Sequence, residues 1–135
     1  MLSDESRVLA GILLLALVTV ETGGLYMVKL VRGKAPATPF QMSFARAGHA
    51  HAGVLLILAL VCQLLADSTD QTGLLDWFSR SGVAVSALLM PAGFFFSSMG
   101  AGREKPNKLI ALLFAGAALL AVSLASLGIG LLTAG

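Results

Sequence analysis

Charge is what this 135-residue sequence has least of. Asp, Glu, Lys and Arg together make up 12% of it, where an ordinary soluble domain carries about 25%. With 57% hydrophobic residues and a mean hydropathy of +0.90, the composition argues against a water-soluble globular fold. It also argues against disorder, which needs the opposite balance. The single cysteine, Cys62, excludes an internal disulfide and every metal motif built on paired cysteines. It lies in an apolar run and reads as a small packing residue. Linkers, low-complexity tracts, a second domain and internal repeats are all missing, so a transporter built from inverted repeats is not expected. The net charge of +2 does not point to nucleic acid, because the basic residues sit in short clusters beside apolar runs, where membrane topology explains them.

Four long apolar runs are present, at about 8–31, 41–66, 77–99 and 109–133. Each can cross a hydrocarbon core of ~30 Å, which takes ~20 helical residues, and backbone in lipid must satisfy its own hydrogen bonds. The expectation is an all-α integral membrane protein, a single transmembrane domain over 1–135. Short polar connections make it an antiparallel, up-down four-helix bundle. Lys29, Arg32 and Lys34 flank the first loop, and Arg103, Lys105 and Lys108 occupy the third. The second loop holds Asp67, Asp70 and Asp76, with Arg80 as its nearest cation. Loops one and three are therefore expected in the cytoplasm and both termini outside, in a plasma membrane of bacterial inner-membrane type. The first run is a poor cleaved signal peptide, being too long and preceded by acidic residues. Tyr26 and Trp77 read as interfacial anchors.

Ionisable residues within such runs are costly and are functional candidates by default. They are Glu21, His49 and His51, with Arg46 nearer the interface. Glu21 lies ~15 Å from the end of its run and His49 ~12 Å from the start of the next, close to one layer. Met42, Arg46, His49 and Gly53 share a face of the second helix, while His51 points about 200° away from His49. The two histidines therefore cannot chelate one metal from a regular helix. Between Ala47 and Gly53 every residue other than the histidines is Ala or Gly. Small neighbours either admit a flat macrocycle beside an imidazole or let helices pack closely. In the first case Arg46 pairs with a propionate and Met27, Met42, Met90 or Met99 offers a thioether as second axial ligand. In the second the histidines hydrogen-bond to Glu21, Thr19, Thr22 or Ser86. Glu21 reads as an ion partner of His49 or Arg46, or as a neutral acid in a polar sector with Thr22, Tyr26 and Lys29. Pro91 is expected to kink the third helix near the histidine layer. Phe94, Phe95 and Phe96 are expected to face lipid or a ring. On the fourth helix Ala111, Ala115, Ala118, Ala121, Ala125 and Gly128 form a stripe of small residues expected to be a packing face, within the bundle or between subunits.

The segment Arg46-Ala-Gly-His49-Ala-His51-Ala-Gly-Val-Leu-Leu-Ile-Leu resembles histidine-bearing helices of haem-copper oxidase catalytic subunits and NnrS-like membrane haem proteins. The resemblance covers about residues 46–58 and implies haem b on His49 or His51. The oxidases carry further histidines on later helices, and this chain has none, so no second metal centre is expected. The reading favours His49, which shares a face with Arg46, with Met42 or Met90 as candidate axial partners. The expected function is a haem-binding membrane protein for electron transfer or gas and redox sensing. If it is an enzyme at all, it is a haem-dependent membrane oxidoreductase. The alternatives are a non-enzymatic assembly subunit and a small proton-coupled transporter using Glu21. The lipid bilayer, a membrane redox partner and a homo-oligomer are the expected partners.

Overall fold

The computed structural model describes all residues, 1–135, and contains helices and no strands. Four helices are long and apolar enough to cross a membrane: α1 (Asp4–Val31), α2 (Pro39–Ala66), α3 (Gly73–Ser98) and α4 (Lys108–Thr133). The starts of α1, α2 and α4 extend beyond the apolar runs because polar residues cap them. The Ser3 hydroxyl accepts from the Ser6 amide at 3.2 Å, and Asp4 and Glu5 in the first turn suit the positive end of the helix dipole. At α2 a capping box forms. The Gln41 amide donates to Thr38 Oγ1 and the Thr38 amide to Gln41 Oε1, both at 3.1 Å, with Pro39 at the first helical position. Asn107 Oδ1 accepts from the Leu109 amide at 2.8 Å and opens α4 through one 3-10 turn, Lys108–Ile110. After α1 the chain turns at Gly33, whose φ of +66° suits a residue without a Cβ.

Pro91 is buried within a continuous helical stretch of α3. A π-helical turn at Phe78–Gly82 lies earlier in the same helix.

The ends of the helices meet in alternation. Ser3 at the start of α1 bonds Asp67 just past α2, and Gln71 before α3 donates to the Ser126 carbonyl near the end of α4 at 2.8 Å. At the opposite end Gln41 of α2 donates to the Ser98 carbonyl at 2.9 Å and the Gly100 carbonyl at 2.7 Å. There the Asn107 side chain reaches the Phe96 carbonyl at 3.0 Å. The chain termini and loop two thus share one end, the terminal end. Loops one and three share the other, the basic end, where Thr38 donates to the Arg103 carbonyl.

The core is built mainly by α2 and α3, through Leu55, Leu56, Ala59, Cys62, Ala66, Val83, Ala87 and Met90, with Leu13 and Leu127 added from the outer helices. Close approach depends on glycines. A Cβ on Gly93 would strike the backbone of Leu113, and one on Gly116 would lie 2.7 Å from Met90 Cγ. Helix α4 packs through Gly116, Ser123, Ser126, Leu127 and Gly130. The stripe of Ala111, Ala115, Ala118, Ala121, Ala125 and Gly128 is exposed. It is not a packing face within the chain, because the glycines and serines on the other side let α3 come closer. Helix α1 leans on α2 and buries only Ser6, Leu13 and Leu30.

Candidate functional site

Two polar regions stand out, one on α2 and one at the terminal end. On α2 the two histidines face different helices, as their spacing requires. The His49 ring lies over Gly23 and Gly24 of α1. A Cβ at either glycine would sit 3.5 Å from Nδ1 or 3.6 Å from Nε2. The paired glycines make the berth for the imidazole, and His49 forms no hydrogen bond with Glu21, Thr19, Thr22 or Ser86. Thr19 and Thr22 donate instead to carbonyls of their own helix, each at 2.6 Å.

His51 is arranged differently. Its Nδ1 lies 2.8 Å from the Ala47 carbonyl oxygen. A carbonyl only accepts, so Nδ1 is the donor in this contact. The ring packs 5.0 Å from that of Phe94 and borders a shallow apolar depression of about 230 Å³ formed with Ala50, Val54 and Leu55. Phe94 also meets Phe44 edge-on at 5.4 Å. Phe94 and Phe95 press onto Gly48, where a Cβ would lie 3.0–3.1 Å from them. Only Phe96 of the three phenylalanines is exposed. The small residues around the histidines therefore seat the protein's own aromatic rings.

The other residues read from the sequence are dispersed. Met90 is buried against Gly116 of α4, where its thioether serves the core. Met42 is half-buried on the α1 side of α2. Arg46 is exposed and stands about 140° round the helix from His51. Glu21 is exposed on the outer side of α1 and forms no ion pair with Arg46 or His49. No group of three or more His, Cys, Asp or Glu side chains is placed to hold a metal ion.

The terminal end holds a network that sequence reading missed. Arg80, in the π-turn of α3, donates from Nη1 to Asp67 Oδ1 at 2.6 Å and from Nη2 to Asp76 Oδ1 at 3.1 Å. It also donates to the hydroxyl of Ser6, and Glu5 lies 3.6 Å from Nε. Arg80 and Asp67 keep only 11% and 13% of their side-chain surface exposed. Burial by itself would push the Asp67 carboxyl up. The Arg80 guanidinium, the amide and hydroxyl of Ser3 and the hydroxyl of Ser6 outweigh it and hold Asp67 well below the usual carboxylate range. Beneath the pair, Gln63 donates to the Arg80 carbonyl at 2.5 Å and to the Ala59 carbonyl at 3.2 Å, while its Oε1 is buried without a donor. The one signal available in sequence was the Asp76–Arg80 pair at i,i+4. The partners from α1 and α2 carry no local signature.

This layer ties α1, α2 and α3 together at one end through Arg80. Of the two imidazoles, His51 is the one anchored by a hydrogen bond, through Nδ1 to the Ala47 carbonyl. No protein family, curated protein or solved structure matches this chain.

Proposed function

We propose that this chain is a multi-pass membrane protein of bacterial inner-membrane type that binds haem b through His51 and serves electron transfer or gas and redox sensing. Its helices run antiparallel, up and down, with both termini outside and loops one and three in the cytoplasm. The charge distribution supports that orientation. Lys29, Arg32, Lys34, Arg103, Lys105 and Lys108 gather at the basic end, while Asp4, Glu5, Asp67, Asp70 and Asp76 lie toward the other.

The observation that carries the haem reading is the hydrogen bond from His51 Nδ1 to the Ala47 carbonyl. A ligating histidine almost always donates its other ring N–H in this way, which fixes the tautomer and raises the basicity of the ligating nitrogen. Ala50, Val54 and Leu55 supply an apolar wall beside His51. The depression is far smaller than a macrocycle, so this chain offers one ligand and one wall. Met42 and Met90 are not placed beside His51, so His51 would be the residue of this chain that holds the group. Haem, when bound, supplies one-electron exchange or a gas-binding iron, and the protein's part is to orient the imidazole and exclude water.

The test is an absorption spectrum of protein purified after expression with ample haem. Wild type shows a Soret band, His51→Ala loses it and His49→Ala keeps it. Colourless wild-type protein, or an undiminished band in His51→Ala, defeats the reading. A second reading is a non-enzymatic assembly subunit. It is favoured by the outward placement of Glu21 and Arg46, and in that case every variant is colourless.

A further inference from the structure

Helix α1 exposes Leu14, Val18, Glu21, Leu25 and Val28. Their spacing of four, three, four and three makes a heptad-like seam with one polar residue at its centre. Helix α2 exposes Arg46, Ala50, Val54, Ile57 and Val61, a second stripe along one side. Both stripes lie on the same lateral face. On α1 the residues turned to α2 include Leu13, Val20, Gly23 and Gly24. At 100° per residue, Glu21 lies about 110° round from the middle of that face, on the side opposite Tyr26. Tyr26 shares a cavity with Phe95 of α3, so the seam looks away from α3. On α2, Arg46 lies about 60° beyond His49, which faces α1, and about 160° from Gly48, which faces α3. Its stripe also looks away from α3.

Glu21 and Arg46 are thus an acid and a base on one outward face, each without a partner in its own chain, in segments where an unpaired charge is costly. Their heights differ by about 5 Å, roughly one helical turn. Glu21 is ten residues before the end of α1 at Val31, ~15 Å, and Arg46 is seven residues after the start of α2 at Pro39, ~10 Å, both measured from the basic end. An arginine side chain spans the difference. We propose that this face binds a second copy of the same chain. A two-fold axis parallel to the helices sets α1 of each copy against α2 of the other, and Glu21 of each meets Arg46 of its neighbour. The contact is isologous, so both ion pairs form at once and the assembly closes as a dimer. Ala50, one turn from Arg46, leaves room for backbones to approach. The pairing needs no haem.

The experiment uses the full chain in mild detergent and in nanodiscs. Dimer fraction is read by native mass spectrometry and by dilution. Glu21→Arg and Arg46→Glu each weaken the dimer about tenfold, on the scale of one polar contact between membrane helices. The double variant Glu21→Arg/Arg46→Glu restores it. Independently, the Val18→Cys/Val54→Cys double variant forms an inter-chain disulfide under mild oxidation, and Ala118→Cys on α4 does not. A monomeric wild type, a dimer untouched by either charge reversal, or cross-linking at Ala118→Cys in place of the α1–α2 pair overturns the proposal. A dimer without a Soret band defeats the haem reading and leaves this one standing. A coloured monomer does the reverse.

Discussion

Arg80 and Asp67 are joined at 2.6 Å, between the π-turn of α3 and the residue that follows α2. The same carboxylate accepts from the amide and hydroxyl of Ser3 at 2.9 and 2.8 Å. One acid thereby ties three helices together at the terminal end.

Arg80→Ala leaves Asp67 and Asp76 facing one another without a cation. The expected cost is about 3 kcal/mol, the usual penalty for removing one partner of a buried pair. Unfolding in mixed detergent micelles measures it. Combining it with Asp67→Ala costs less than the sum of the two single changes, because the second substitution relieves the charge stranded by the first.

The depressed Asp67 carboxyl makes stability acid-sensitive. Its folded value lies below the unfolded one of about 3.9, so the unfolded chain binds the proton more readily. The contribution is complete above about pH 4 and is lost as pH falls from there through the folded value. Melting temperature measured from pH 7 down to pH 2 should drop in that window. Asp67→Asn should lower stability at pH 7 and flatten the acid limb. An unchanged acid limb in Asp67→Asn would show that other carboxylates dominate it.

Gly93→Ala and Gly128→Ala are the same substitution with opposite results. A Cβ at Gly93 runs into the Leu113 backbone, while at Gly128 it meets nothing. The first should cost about 1–3 kcal/mol by forcing α3 from α4. The second should be neutral, or stabilising by up to ~1 kcal/mol through helix propensity. Thermal unfolding of the two variants side by side decides it.

Topology is open to labelling. In intact cells, Thr69→Cys in loop two should react with an impermeant maleimide and Lys105→Cys in loop three should not. The native Cys62 is buried and gives little background. Labelling of Lys105→Cys from outside would invert the proposed orientation.

The four helices were legible in the sequence, because uninterrupted apolar runs of this length in so weakly charged a chain leave the backbone few alternatives. So was the divergence of His49 and His51, since two residues on one helix differ in direction by a fixed angle. What each of them packs against was not legible. That depends on how α2 is rotated against its neighbours, and it is set by Gly23 and Gly24 berthing one ring while Ala47 anchors the other. The alanine stripe of α4 shows the same limit from another side. Where the surroundings are apolar, an outward face carries the same residues as an inward one, and composition does not label it. Gly116, Ser123, Ser126 and Gly130 turn inward because they let backbones approach or form bonds there.

The terminal network was the least visible of all. Arg80 stood in the sequence as a loop-side cation, but its partners Asp67 and Ser6 lie 13 and 74 residues away. By itself the sequence determined what is local: the number of long helices, their approximate spans, and the relative directions of residues along each helix. Only the tertiary structure decided what faces what. Helix rotation and pairing are selected by a few close contacts among glycines, serines and one arginine, and a nearly uniform apolar pattern carries no record of them.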